Sequence, residues 1–144
     1  MAFIGNKEKN FRKYLLKHFG IALPKGVRLF YHHGVRAGDP EITKSDIKGE
    51  KGYAACDAGF NPTNSFIQNF GHLADRNIVE VDGARAREFA LGRGLGKMDM
   101  GPKGRWMIVR YNGFPVGLGY YEPEEKKIKN HIPKKRCRNM VNTL

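Results

Sequence analysis

Between Lys7 and Phe19 the apolar residues Phe11, Leu15 or Tyr14, and Phe19 fall on one stripe at helical spacing, with Lys9, Lys13 and Lys17 opposite. Gly20 and Pro24 then end the pattern. This spacing predicts an amphipathic helix over 7–19 that packs on a sheet and keeps its lysines in water, rather than one lying on a membrane surface. Residues 27–32 read as a strand, Gly34 to Pro40 as a loop, and Gly52 to Phe60 as another short strand. Asn61-Pro-Thr-Asn is a helix start with an early proline. Phe66, Ile67, Phe70 and Leu73 follow at helical spacing, which places a helix near 62–73.

Asn77 to Val81 is a short β-branched strand, and Gly83 to Leu91 is a helix ending at Gly92. Gly92 to Gly104, with five glycines and one proline, is a loop or a set of turns. Two strand-like runs, 105–111 and 114–121, flank Asn112-Gly113, the preferred turn of a two-residue hairpin. Pro115 suits a strand start or an edge. After Glu122-Pro-Glu-Glu, Lys126 to His131 reads as a last strand, and Pro133 opens a basic tail. The fold class is α+β: an N-terminal α+β lobe, residues 1–75, followed by a small, mostly β lobe, residues 76–144, built as a closed or partly closed barrel.

Composition narrows this picture. At 144 residues the chain holds one domain or two small lobes, too little for a dinucleotide or methyl-donor fold plus a substrate domain. With 40% hydrophobic and 11% aromatic residues it is a folded protein and not a basic disordered tail. A formal net charge of +12 suits a polyanion, either nucleic acid or an anionic membrane surface. Apolar runs of only a few residues exclude a membrane span, and the N-terminus lacks the apolar core of a secretory signal. The two cysteines, Cys56 and Cys137, build no disulfide framework, which fits a reducing cytoplasm.

The charge is uneven. Residues 1–75 carry 11 Lys and Arg against 7 Asp and Glu, whereas residues 76–144 carry 15 against 7. Within the second half, residues 126–138 hold seven positive charges and no negative one, interleaved with Ile128 and Ile132. That pattern suggests a phosphate-contacting segment: Lys126, Lys127, Lys129, Lys134, Lys135, Arg136 and Arg138 supply position and affinity. Asn130, His131 or a nearby aromatic, Tyr120 or Tyr121, is suited to bond to or stack on unpaired bases. Gly117 and Gly119 either bare the strand face to a ribose-phosphate backbone or mark a bulge or a packing accommodation. Arg93, Lys97, Lys103 and Arg105 make the glycine loop a second candidate RNA-contact element.

Other signals are weaker. Gly92-Arg-Gly-Leu-Gly96 follows a predicted helix instead of a strand and opens none, so it is not read as a cofactor loop. His32, His33, Cys56, His72, His131 and Cys137 lack metal-ligand spacing. No nucleophile elbow and no acid–base carboxylate pair is legible, so neither catalytic residues, nor a cofactor, nor enzymatic activity is expected.

The hairpin from Gly104 through Tyr120 and the segment from Lys129 to Arg138 together resemble the C-terminal RNA-binding region of the Sun/Fmu-type rRNA 5-methylcytosine methyltransferases. They also resemble small stand-alone archaeal relatives grouped with ribosome biogenesis. The resemblance is carried by Trp106, by Gly113-Phe114-Pro115-Val116-Gly117, by Lys129-Asn130-His131, by Pro133-Lys134, and by Arg136 or Arg138. The helix from Ala84 to Leu91 with Gly92 matches the segment before the first strand, and residues 61–74 resemble the region preceding that domain in the archaeal relatives. It implies a PUA-like small β-barrel that binds structured RNA. Neither a Pro-Cys catalytic motif nor a methyl-donor loop is present, so the methyltransferase activity does not carry over. The expected function is therefore a non-catalytic RNA-binding protein acting on ribosomal RNA, in ribosome assembly or on the ribosome. The alternative is an accessory RNA-binding subunit of a separately encoded RNA-modifying enzyme.

Overall fold

The structure, a computed structural model, describes residues 5–24, 28–31, 35–38, 53–54 and 61–134. Helix α1, Gly5–Phe19, is the predicted amphipathic one. Phe11, Leu15 and Phe19 are fully buried, while Lys9, Lys13 and Lys17 stay in water. Gly20 ends it with φ 73, a left-handed conformation that favours glycine, and a Cβ there would strike the Asp75 carboxylate. The open carbonyls of the last turn are taken by the segment that leads into the main sheet. Asp75 N–H and Arg76 N–H donate to the Phe19 carbonyl at 2.9 and 3.3 Å, Arg76 Nη1 donates to Lys17, and Asn77 Nδ2 donates to His18.

Strands β1 (Arg28–Tyr31), β2 (Val35–Gly38) and β3 (Tyr53–Ala54) form an antiparallel sheet in that order. The stretch read from its glycines and proline as a loop thus contains a strand, with Tyr31 paired to Val35 and Arg28 to Gly38. A ladder is made by the backbone, and Val-Arg-Ala-Gly can supply it despite its turn-like composition. Helix α2, Asn64–Phe70, begins where the proline-containing start predicts, with Thr63 Oγ1 accepting from Phe66 N–H at 3.1 Å. It continues as a 3₁₀ turn, Gly71–Leu73.

The main sheet has four strands in chain order: β4 (Ile78–Glu80), β5 (Arg105–Tyr111), β6 (Phe114–Glu122) and β7 (Lys127–Asn130). β4 and β5 are parallel, linked through helix α3, Gly83–Ala90, and the remaining pairs are antiparallel. Asn112 and Gly113, with φ 49 and 82, make the expected hairpin turn. Among the described residues β4 and β7 do not pair, so the expected barrel is here an open sheet. Its β7 edge is covered by a single bridge, Leu95 to Ile128.

Both faces of this sheet are covered. On one, α1 and α2 bury Phe11, Leu15, Phe19, Phe66 and Ile67 against Ile108 and Leu118. On the other, α3 and the glycine loop bury Ala86, Phe89 and Leu95 against Met107, Val109, Tyr121 and Ile128. The ladder between β5 and β6 slips by one residue beside Val109 and Arg110, leaving Val116 as a bulge. Two side chains of α2 satisfy the backbone there: Gln68 Nε2 donates to the Val116 carbonyl at 3.2 Å, and the Leu118 N–H donates to Asn64 Oδ1 at 2.9 Å. Gly117 and Gly119 are buried inside this packing. A Cβ on Gly117 would lie 2.5 Å from Ile132, and one on Gly119 would strike Ile128. They are packing accommodations and expose no bare strand face to a nucleic-acid backbone.

His18 makes the junction of α1 with this sheet pH-sensitive. Its Nε2–H donates to the Trp106 carbonyl at 3.1 Å. Burial lowers its pKa, Arg105 lowers it further, and the bond to Trp106 opposes both. Burial and Lys129 lower the pKa of His131 in the same sense. The fold therefore prefers neutral imidazoles, while the unfolded chain takes protons near pH 6.5. Stability is expected to be complete above that value and to fall as the pH drops below it. Urea midpoints taken between pH 7.5 and 5.5 should decline in the wild type and decline less in the H18Q/H131Q double variant.

Candidate nucleic-acid interface

α3 is capped by Asp82, whose Oδ1 accepts from Arg85 N–H at 2.8 Å, and it stops at Gly92 with φ 100. Gly92 N–H returns to Phe89 and Arg93 N–H to Glu88, the double bond pattern of a glycine-terminated helix. The helix end therefore delivers the chain directly into the glycine loop. Leu95 and Ile128 then exchange both backbone hydrogen bonds, at 2.9 and 2.7 Å, and Met98 N–H reaches the Lys126 carbonyl at 2.8 Å. Gly94 is required by this approach, since a Cβ would sit 2.7 Å from the Ile128 carbonyl. The result is a cleft of about 500 Å³ walled by Gly92, Gly94 and Gly96 on one side and Lys127, Lys129 and Asn130 on the other.

Alternation along β7 assigns its side chains. Ile128 is buried and Lys129 is exposed, with Lys127 half-buried. Lys126 lies in the preceding turn at φ 52, exposed, and Lys97 takes φ 55 in the glycine loop, also exposed. Lys134 is exposed beyond the strand. The cations stand near carboxylates: Lys126 is 3.8 Å from Asp99, Lys127 3.0 Å from Glu125, Lys129 3.6 Å from Glu122, and Arg93 pairs with Glu88. The Lys127 ammonium, hydrogen-bonded to Glu125, holds that carboxyl below its usual range. Exposed pairs of this kind are weak and screened by salt, so the ammonium groups remain open to exchange for phosphate.

The structure separates the expected site residues into two groups. Lys127 and Lys129 line the cleft, Arg93, Lys97 and Lys126 are exposed next to its walls along the chain, Lys134 is exposed beyond the strand, and Tyr120 pairs with Lys129 across the ladder while His131 follows Asn130. Arg105 and Asn130 instead turn their polar atoms inward. Arg105 donates to Asn77 Oδ1 at 2.8 Å and to the Met100 and Lys103 carbonyls, and its guanidinium stands 5.5 Å from the Tyr121 ring centre. Asn130 Nδ2 donates to the Phe89 and Arg93 carbonyls at 2.7 and 3.0 Å, while its Oδ1 accepts from Ile132 N–H at 2.8 Å. Tyr121, considered as a base contact, is fully buried, and its hydroxyl accepts from Met100 N–H at 2.8 Å. Lys135, Arg136 and Arg138 lie outside the described residues.

One member of the site was legible only as a motif residue. Trp106 pairs across the hairpin with Tyr120, which in turn pairs with Lys129 on β7. Its ring meets Tyr120 edge to face at 5.0 Å and His131 at 4.7 Å, and its Nε1–H is fixed by Asn61 Oδ1 at 2.9 Å. Among the described residues no cluster of three or more His, Cys, Asp or Glu is placed to hold a metal ion, and no helix is long and apolar enough to cross a membrane.

Comparison with known proteins places this geometry. Residues 76–138 match the family model of the methyltransferase RsmF PUA domain. The chain is 33% identical over 81 residues to the ribosomal RNA small subunit methyltransferase F of Aeromonas salmonicida, covering 56% of this chain and 16% of that protein. It is 32% identical over 83 residues to the protein of the same name from Psychromonas ingrahamii, covering 57% of this chain and 17% of that one. The chain thus spans about a sixth of the length of the curated relatives it matches. These matches bear out the resemblance drawn from the hairpin and the Lys129-Asn130-His131 segment. With the four-stranded sheet, α3 and the glycine cleft all inside the matched span, residues 76–138 form a PUA-like domain that resembles the one in the RsmF-type methyltransferases.

Proposed function

We propose that this protein is a non-catalytic RNA-binding protein acting on ribosomal RNA, in ribosome assembly or on the ribosome, and hence in the cytoplasm. The observation that carries this reading is the β7 edge. Lys126, Lys127 and Lys129 stand there beside a glycine-walled cleft, in a thirteen-residue segment with seven positive charges and no negative one. Such an edge offers cations and close backbone approach to phosphates, and the rRNA-directed names of its relatives supply the class of RNA. Residues 1–75 act in this reading as a lobe that supports the RNA-binding lobe, residues 76–144.

Filter binding to small-subunit rRNA fragments across a salt series tests it. Affinity should fall steeply with salt, and a K129A/K134A/R136A triple variant should bind more weakly, with a slope shallower by roughly 0.7–0.9 for each phosphate contact removed. Absent or salt-insensitive binding, or an unaffected triple variant, would overturn the proposal. A second reading is an accessory subunit of a separately encoded RNA-modifying enzyme, favoured by the relatives carrying this domain within a much longer methyltransferase. Affinity purification from native extract separates the two: recovery with ribosomal particles and no enzyme counts against the second.

A further inference from the structure

We infer that Trp106, Tyr120 and His131 form a stacking platform for an unpaired nucleobase, with Lys129 and Lys127 holding the phosphates that flank it. This rests on the RNA-binding reading and adds to it a single-stranded segment as the bound element.

Among the described residues, the platform lies where the cover over one face of the sheet runs out. Further along that face Ile108 and Leu118 are sealed beneath α1 and α2. One row on, Trp106 and Tyr120 keep part of their surface in water, and His131 is exposed. Tyr121, one residue away on the opposite face, is fully buried with its hydroxyl bonded, so solvent access at Tyr120 belongs to this row and not to the strand as a whole. The rings are held before any ligand arrives. Asn61 fixes the Trp106 indole N–H, and Tyr120 and His131 meet it at interplanar angles of 78° and 77°. Aromatic side chains fixed at a sheet surface stack bases without sequence preference. Although the residue as a whole is exposed, partial desolvation of its ring, which packs on Trp106, and the neighbouring Lys129 lower the His131 pKa, so the neutral ring adds no charge to desolvate and offers both a donor and an acceptor.

The charges fit the same ligand. Lys129 pairs with Tyr120 across the ladder, and Lys127 pairs with Glu122. Alternate residues on a strand stand about 6.5 Å apart on one face, comparable with successive phosphates of an extended single strand. Two carboxylates stand beside these lysines, Glu122 at 3.6 Å from Lys129 and Glu125 at 3.0 Å from Lys127, and solvent-accessible pairs of that kind yield to a phosphate.

Trp106 is the sole tryptophan of the chain, so its emission reports on this ring alone. The test uses the full chain and three probes about ten nucleotides long, within the site sizes common for single-strand binders. These are a labelled single-stranded RNA, an abasic ribose-phosphate oligomer of equal length, and an RNA duplex. The single strand should quench Trp106 emission with the same midpoint as its anisotropy change. The abasic oligomer should bind more weakly and leave the emission unchanged, and the duplex should not quench. Y120L and H131A should each weaken single-strand binding about ten-fold while leaving abasic binding, and the urea midpoint at pH 7.5, unchanged. If RNA binds without moving Trp106 emission, or base-bearing and abasic oligomers bind alike, the platform is overturned and the RNA-binding reading stands. If no probe and no rRNA fragment binds, both fall. Were either variant to misfold, the wild-type comparison of base-bearing and abasic oligomers still decides.

Discussion

A polypeptide begun at Arg76, which keeps the whole span matched by the PUA model, is expected to lack a cooperative unfolding transition. Its sheet would lose the cover on one face. Phe11, Leu15, Phe19, Phe66 and Ile67 bury Ile108, wholly inaccessible in the intact chain, and Leu118, only 2% accessible. Burial of a large aliphatic side chain contributes about 1.5–3 kcal/mol, so exposing these two alone removes roughly 3–6 kcal/mol from a domain whose whole stability lies in the range of 5–15 kcal/mol. Ile78 and Trp106, which pack at the rim of the same cluster, lose cover as well. The attachment is also reciprocal, because Asp75, Arg76 and Asn77 take the last carbonyls of α1. A chain begun at Asn61 keeps α2 and its bonds to the bulge and should be less damaged. Near-ultraviolet circular dichroism and urea titration of the three lengths decide the matter: a sharp transition in the 76–144 piece would show that the helices merely lean on a self-sufficient domain.

The parts of the fold that were legible share one property: the signal was local. The Phe11, Leu15 and Phe19 stripe, the proline-marked start of α2 and the Asn112-Gly113 turn each need only neighbouring residues to act. The facing of the aromatics was not local. The hairpin turn by itself pairs Tyr111 with Phe114 and would carry that register up the strands, setting Trp106 opposite Gly119. The bulge at Val116 shifts the register by one, and since side chains alternate faces, Tyr120 arrives opposite Trp106 while Tyr121 goes into the core. No residue type announces that slip, and the groups that hold it, Asn64 and Gln68, lie some fifty positions away in the chain. Gly117 and Gly119 were ambiguous for the same reason, because the atoms that forbid a Cβ come from Ile132 and Ile128. The positive charge was legible as a sum and as a segment. That Arg105 spends its guanidinium on Asn77 and two carbonyls required the three-dimensional neighbours.

Asn130 is the residue for which substitution should reveal most about the cleft. Its partners fix the orientation of its amide: two carbonyls, of Phe89 and Arg93, face Nδ2, and one N–H, of Ile132, faces Oδ1. The side chain thus ties the end of β7 to the last turn of α3 and to the start of the glycine loop. Replacement by Ala removes three hydrogen bonds, each contributing about 0.5–1.5 kcal/mol net, so a loss of roughly 1.5–4.5 kcal/mol is expected. Replacement by Asp should be worse at neutral pH, although it keeps the acceptor for Ile132, because a carboxylate would face two carbonyl oxygens with no proton between them. The fold would then favour the protonated acid and raise the Asp pKa above its unfolded value near 3.9. The sign follows: the N130D deficit is smallest below that value, where the acid can donate to one carbonyl, and grows as the pH rises through the raised folded pKa. Urea midpoints of N130A and N130D measured from pH 4 to pH 8 should therefore converge at the acid end and separate at the neutral end. Parallel curves would mean that the amide reads out to solvent or RNA and does not clamp the loop.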